Sequence, residues 1–255
     1  VSSCASGTMT ENILTSAVSF VATTVVTVTY ADRIGYLREL LGRAFDSEGV
    51  GHAVVVSNAS TWDLHQLENE WGARLRVIRL ERNTGSANGY AVGIEAALEG
   101  GAAYLWLMDD DNAPMPGALA TLHQRLGHST SNLGPARAAV LGFRPTHQAD
   151  IARGVDASRA YPPRSSFFGF HYRQILFKIW RRIRPKQTHR ELAAFVSLPY
   201  APYGGLLASR ALFERIGLPM RELVLYADDT EYTRPITADG GVIQLVTRAE
   251  LEDLE

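Results

Sequence analysis

Two groups of carboxylates are spaced for chemistry: Asp109-Asp110-Asp111 and Asp228-Asp229-Thr230-Glu231. Three consecutive carboxylates repel one another, and a folded chain tolerates them most easily beside a cation. Oxygen donors suit hard divalent ions such as Mg2+ or Mn2+. Mg2+ usually takes one or two carboxylates and completes its shell with substrate phosphates, so a diphosphate ligand fits the triplet. A solvated acidic turn would also account for three aspartates. Their place after YLWLM and before Asn112-Ala113-Pro114 favours a binding site. Asp228 and Asp229 are adjacent like charges, which raises the proton affinity of at least one. Such a carboxylate can take a proton from a hydroxyl as that hydroxyl attacks. The same residues also suit a helix start, with Asp228 as N-cap and Glu231 three residues on. The two roles are compatible.

Weaker signals surround these. Asn83-Thr84-Gly85-Ser86 precedes a helix beginning near Ala87, whose amides could face a diphosphate, with Arg82 adding charge. A plain loop capped by Ser86 is the alternative. Tyr203-Gly204-Gly205 suits either a floor under a ligand or a simple turn. The histidines at 52, 65, 123, 128, 147, 171 and 189 show no metal-ligand spacing. His171 and His189 are the candidates to reach a cleft.

These residues need a scaffold, and the first half of the chain predicts one. Short apolar runs at Phe20–Tyr30, His52–Ser57, Leu75–Leu80 and Ala103–Met108 read as strands. Helical spacing falls between them at Arg33–Phe45, Leu64–Trp71 and Ala87–Leu98. Runs that are apolar throughout imply burial on both faces of a parallel sheet. The alternation indicates a doubly wound α/β domain, in which ligands bind beyond the carboxyl ends of the strands. The segments to inspect are therefore Thr29–Arg33, Ser57–Ser60, Glu81–Ser86 and Asp109–Asn112. In the second half, strands are expected at Ala138–Phe143 and Val242–Val246, and regular structure is expected to return at Tyr203–Ser209. A helix should run from Ser209 to Gly217, and another should follow Asp228.

Composition narrows the function classes. The 255 residues carry a net charge of −2, which argues against nucleic acid as the main partner. The single cysteine, Cys4, excludes an intrachain disulfide or a thiolate metal cage, and a reducing compartment is the default. Ala17–Tyr30 lacks a basic lead and is shorter than a membrane span, so it reads as a buried strand. Residues 1–16 are small and polar and predict no fixed structure, with Met9 a candidate start. Residues 165–190 mix aromatic and basic side chains. As a helix they would either cover a sheet edge or lie on an anionic membrane surface.

The order of motifs resembles the inverting glycosyltransferases of family 2. The matching pieces are Val28-Thr29-Tyr30-Ala31-Asp32-Arg33, Val55-Val56-Ser57-Asn58-Ala59-Ser60, Asn83-Thr84-Gly85, Leu107-Met108-Asp109-Asp110-Asp111 and Asp228-Asp229-Thr230-Glu231. They span Val21–Gly240, and the DDD and DDTE pair is most similar to the galactofuranosyl- and rhamnosyltransferase branches. The resemblance implies a GT-A fold: a single domain with a Rossmann-like, mostly parallel sheet flanked by helices and an irregular acceptor-side insertion. Residues 17–143 would bind the nucleotide-sugar, UDP-galactofuranose or dTDP-rhamnose, and residues 144–255 a glycan or polyprenyl-linked acceptor. Thr29, Tyr30, Asp32, Arg33, Ser57, Asn58, Arg82, Asn83, Gly85, Asp109 and Asp110 would contact the donor. Asp109 and Asp111 would hold Mn2+ or Mg2+. Asp229 would be the general base, with Asp228, Glu231, Tyr203, Gly204 and Gly205 placing the acceptor. The resemblance implies catalysis on the cytoplasmic side, peripheral to the membrane.

Departures from the pattern bear on activity. Ser57 stands where the family usually has a base-reading Asp, and Ala31 where Asn is common. No His follows His189, although the family commonly has a late metal-ligating His. A further C-terminal segment, another group or water would then complete the metal shell. A nucleotide-sugar-binding relative without turnover is the second reading. A sugar nucleotidyltransferase is the third, but it expects a Gly-rich basic loop where Tyr30-Ala31-Asp32-Arg33 stands.

Overall fold

The computed structural model describes residues 22–155, 192–222 and 228–255. The expectations for residues 1–16 and for residues 165–190 lie outside the described residues. Strand β1 (Thr23–Thr29) leads through helix α1 (Ile34–Gly42) to β2 (His52–Asn58). Helix α2 (His65–Trp71), β3 (Leu75–Leu80), α3 (Ser86–Glu99) and β4 (Tyr104–Asp109) follow. These four strands pair in parallel in the order β3-β2-β1-β4, matching the sequence expectation closely.

The second half extends the same sheet. It contains β5 (Asn112–Pro114), α4 (Ala118–Leu133), β6 (Ala138–Phe143), α5 (Pro145–Ala152) and β7 (Phe195–Leu198). Then come β8 (Leu206–Ser209), α6 (Arg210–Ile216), α7 (Asp228–Ala238) and β9 (Val242–Asp253). Strand β8 enters antiparallel between β4 and β6, and β9 lies parallel to β6. The result is a mixed, mostly parallel sheet flanked by helices, the GT-A architecture.

Period-two alternation divides each strand between two apolar layers. Val26, Val54, Val56, Leu105 and Leu107 face one layer, which includes Ile94 of α3, Phe213 of α6 and Ile236 of α7. Val25, Val55, Trp106 and Met108 face the other, with Leu37 and Leu40 of α1 and Leu119 and Leu122 of α4. This explains why the strand sequences are apolar throughout. Each fully buried Val or Leu contributes roughly 1.5–3 kcal/mol, against about 0–1 kcal/mol for an exposed ion pair. The two layers, not the surface salt bridges, therefore hold the sheet together. Helix α3 lies especially close to β1. A Cβ at Gly89 would meet Val28 Cγ1 at 2.6 Å, and one at Gly93 would meet Val26 Cγ1 at 2.6 Å.

The structure departs from the sequence expectation at several elements. Helix α1 ends in a π-helical turn at Arg43–Ser47. Within Tyr203–Ser209 the regular structure begins only at Leu206, Tyr203–Gly205 forming a turn. Strand β9 continues past Val246, shifts register against β6, and pairs its end antiparallel with β5. Helices α4 and α5 and the short strands β5 and β7 carry no strong sequence signal.

Helix α4 shows why. Its start is capped from far away: Glu48, 6% exposed, accepts the amides of Gly117 at 2.8 Å and Leu119 at 2.7 Å. A carboxylate there satisfies otherwise orphaned donors and opposes the positive end of the helix dipole. Replacing Glu48 with Ala should destabilise the protein by about 2 kcal/mol, read from urea midpoints at constant slope. A change below about 0.5 kcal/mol would show that water caps the helix equally well.

Candidate active site

The parallel strands bring their carboxyl ends to one edge, where a cleft of about 960 Å3 opens. Asp109, Asp110 and Asp111 cross its floor at the end of β4. Of the residues expected to contact a donor, Tyr30, Arg33, Asn58, Asn83, Gly85, Asp109 and Asp110 line it. Thr29 and Ser57 lie buried beneath, and Asp32 and Arg82 are exposed outside the lining.

Each carboxylate of the triplet has a different setting. Asp109 accepts the Tyr90 hydroxyl on Oδ1 at 3.1 Å and Arg144 Nη1 on Oδ2 at 3.1 Å. Its side chain is 36% exposed, but into the cleft, where protein surrounds it. Burial raises its proton affinity, and Arg144 opposes that rise. Asp110 is the most enclosed, 5% exposed. Burial raises its proton affinity too, against hydrogen bonds from Thr29 and Arg33. Asp111 accepts Arg33 Nη1 on Oδ2 at 2.8 Å and Asn112 Nδ2 on Oδ1 at 3.3 Å.

Asn58 is occupied structurally. Its Nδ2 donates to Asn83 Oδ1 at 2.9 Å and to the Gly85 carbonyl at 3.1 Å, while its Oδ1 accepts the Thr84 amide at 2.9 Å. The buried amide thus pins the turn at the start of α3. Gly85 at the helix N-cap has φ +85°, a conformation that favours glycine.

The residues expected on the acceptor side fall into three settings. Asp228 and Asp229 open α7, and Ser86 at the start of α3 donates to Asp228 Oδ2 at 2.6 Å. The Asp229 carboxyl is pushed up to about 6, chiefly by burial, opposed by bonds from Thr230 and helped by the charges of Asp228 and Asp109. Tyr203 is buried and stacks on Tyr90, with centroids 4.1 Å apart. A Cβ at Gly204 would stand 2.7 Å from Asp109 Cγ and 2.9 Å from Asn112 Oδ1. The close approach of this turn therefore requires glycine. Gly205 has φ +96° and bonds the Leu107 carbonyl at 2.8 Å. Glu231 is exposed on α7.

The cleft also gathers residues that sequence reasoning missed: Tyr90, Arg144, Thr146, His147, Asp253 and Glu255. Arg144 directly follows β6, so the rule of inspecting strand ends reaches it. Asp253 carried no such signal, because the strand was expected to stop at Val246. Its Oδ1 accepts Asn112 Nδ2 at 3.0 Å, and Thr146 hydrogen-bonds its Oδ2.

The cleft offers the carboxylate oxygens that a hard divalent cation takes as ligands. Carboxylates of Asp109, Asp111 and Asp253 face one cleft, and Asp110 Oδ2 is buried without a hydrogen-bond partner. Among the described residues no three His, Cys, Asp or Glu side chains are already gathered as a cage. No helix among them is long and apolar enough to cross a membrane.

Comparison with solved structures shows the same fold in glycosyltransferases. GalNAc-T7 with UDP, GalNAc and Mn2+ matches with a TM-score of 0.57 and 14% identity over 90% of this chain and 43% of that one. S. aureus TarS 1–349 matches with a TM-score of 0.57 and 16% identity over 90% and 59%. The mannosyltransferase PcManGT from Pyrobaculum calidifontis, with GDP-Man and Mn2+, matches with 0.54 and 18% over 89% and 54%. The chain thus spans about half the length of these proteins. No curated protein matches it. The profile of glycosyl transferase family 2 matches residues 24–217, and the chain belongs to that family. The matched stretch contains the Asp109–Asp111 triplet and ends before Asp228 and Asp229.

The Gly204 contact gives a direct check on this geometry. Gly204→Ala should keep its far-UV circular dichroism while losing affinity for UDP or GDP, whichever the wild type takes. The expected loss in calorimetry is on the order of ten- to a hundredfold, because Asp109 must move. Unchanged affinity would mean that Asp109 is not held by this turn in the bound state.

Proposed function

We propose that this chain is a metal-dependent inverting glycosyltransferase that moves a sugar from a nucleoside-diphosphate donor to a hydroxyl acceptor. The observation that carries this is the Asp109–Asp111 triplet across one cleft, with Asp229 on the helix start that Ser86 of the cleft lining fastens through Asp228, its carboxyl pushed up to about 6. An acceptor hydroxyl would give its proton to Asp229 as its oxygen bonds to the anomeric carbon. The bond from that carbon to the diphosphate oxygen breaks in the same displacement, and a single displacement inverts the centre. A bound Mn2+ or Mg2+ would neutralise charge on the departing diphosphate. Asp111, with Asp109, would hold that cation, as the Mn2+ in two structural neighbours suggests.

Division of labour within the cleft follows from the contacts. Tyr30 and Arg33, with Asn83 and Gly85 on the turn pinned by Asn58, would receive the nucleoside diphosphate. Thr29 and Ser57 would shape the pocket from beneath, and Asp32 and Arg82 would act at its rim. Gly204 and Gly205 would underlie the sugar, beside Tyr203. Asp228 and Glu231 would orient the acceptor from the first turn of α7. The favoured donors are UDP-galactofuranose and dTDP-rhamnose, on the DDD and DDTE pairing. The favoured acceptor is a glycan or polyprenyl-linked glycolipid of cell-surface polysaccharide synthesis. Catalysis would take place on the cytoplasmic side, with residues 165–190 as the membrane contact.

Calorimetric titration of UDP, dTDP and GDP with and without Mn2+ tests the donor site. One nucleotide should bind in a metal-dependent way, and Asp111→Ala should abolish that binding. Failure of all three to bind a folded sample would sink the donor-site assignment.

The base assignment has its own signature. Asp229→Asn should lower donor turnover by about a hundredfold or more while leaving nucleotide affinity near wild type. Wild-type activity should fall as pH drops through about 6, because the base must be ionised. Stability should move the other way. The folded pKa lies above the ordinary aspartate value of 3.8, so Asp229 favours the fold at low pH and that gain is lost as pH rises through about 6. Asp229→Asn should therefore be more stable than wild type at pH 7.5, by about 2 kcal/mol, and lose that advantage below pH ~4. A pH-independent difference in urea stability would remove the argument for a half-buried, perturbed carboxylate.

A further inference from the structure

Arg33 enters the cleft from the turn after β1. Its Nη1 donates to Asp110 Oδ1 at 2.9 Å and to Asp111 Oδ2 at 2.8 Å, and its Nη2 bonds the Glu255 carboxylate. The Tyr30 and Tyr36 rings lie 5.0 and 5.9 Å from the guanidinium carbon, within cation–π range. The two aspartate contacts differ in kind. Asp110 is 5% exposed, so its pair with Arg33 is the anchored one. Asp111 is 22% exposed on the cleft, and its other oxygen has only the 3.3 Å contact from Asn112. A divalent cation arriving at Asp111 meets a carboxylate already neutralised, beside a fixed positive charge that repels it.

We propose that Arg33 is a displaceable counter-ion, which shares the Asp111 carboxylate in turn with a divalent cation and yields it when a diphosphate draws the guanidinium away. The inference rests on the assignment of Asp111 as a metal ligand. A guanidinium fork pairs with phosphate oxygens as well as with carboxylates, so a diphosphate offers Arg33 an equivalent partner. Turning about its Asp110 anchor, Arg33 exchanges Asp111 for phosphate without ever becoming an unpaired buried charge. The vacated Asp111 oxygen then serves the metal. Donor and metal consequently bind with positive coupling, each favouring the other by the same factor. Arg144 does not reach Asp111: its cleft contacts are to Asp109, Asn112 and Asp253.

The test is Mn2+ binding, followed by the electron paramagnetic resonance of free Mn2+, in wild type, Arg33→Gln and Arg33→Lys. Without nucleotide, Arg33→Gln should bind Mn2+ about tenfold more tightly than wild type, a coupling of the usual allosteric size. Arg33→Lys keeps the charge and should stay near wild type. The ratio of Mn2+ affinities with and without UDP or GDP should be smaller in Arg33→Gln than in wild type, chelation by the nucleotide being common to both. Arg33→Met, which keeps an apolar stem between the two tyrosines, replaces Arg33→Gln if the latter melts early. Equal or weaker Mn2+ binding in a folded Arg33→Gln or Arg33→Met protein would overturn the proposal. Loss of Mn2+ in Asp111→Ala together with that result would overturn the part of Arg33 alone. Wild-type Mn2+ binding in Asp111→Ala would instead remove the metal assignment beneath it.

Discussion

Like charges converge at the end of β4, and the surrounding fold is arranged to hold them there. Asp109, Asp110 and Asp111 leave the strand in succession, in a cleft that screens them less well than bulk water does. Two arginines supply the counter-charge from opposite sides: Arg33 to Asp110 and Asp111, Arg144 to Asp109. The sheet order makes both possible. Parallel pairing of β1 with β4 sets the turn bearing Arg33 beside the triplet. Insertion of β8 between β4 and β6 sets the end of β6, and hence Arg144, across the cleft. The turn before β8 also brings Gly204 against Asp109, where a side chain would displace the carboxylate.

This arrangement lowers stability where it serves chemistry. Asp109, Asp110 and Asp229 are all held where burial raises their proton affinity, which disfavours their ionised forms. The two apolar layers on either side of the sheet offset that cost, since the central strands give their Val, Leu and Ile side chains alternately to one layer and the other. Helix α3 links the layers to the site. Its glycines let it settle onto β1, which places its first turn at the cleft, and there Ser86 reaches Asp228 of α7. The helix that carries the candidate base is thereby fastened to the helix whose first turn lines the cleft.

The elements β1 to β4 and α1 to α3 were legible because each is specified locally. Their strands are short and apolar, their helices have regular spacing, and their connections are brief. Helix α4 was not, because its N-terminal cap is Glu48, far away in sequence. The end of β9 was not either. Its partner β5 is three residues long, and residues 251–253 have no strand pattern without that pairing. The cleft followed the same division. The carboxylate groups were visible as clusters, whereas Arg144 and Asp253 stand singly in the sequence.

The sequence by itself determined the α/β architecture, the position of the Asp109–Asp111 triplet at a strand end, and the family. These depend on residue type and spacing within short stretches, which a one-dimensional string preserves. Tertiary structure alone decided how the carboxylates are shared. It gave Asp110 and Asp111 to Arg33 and Asp109 to Arg144 and Tyr90. It also brought Asp229 into electrostatic reach of Asp109 and closed the cleft wall with Asp253. Those relations join residues from distant parts of the chain, and charge and burial act through space rather than along the sequence.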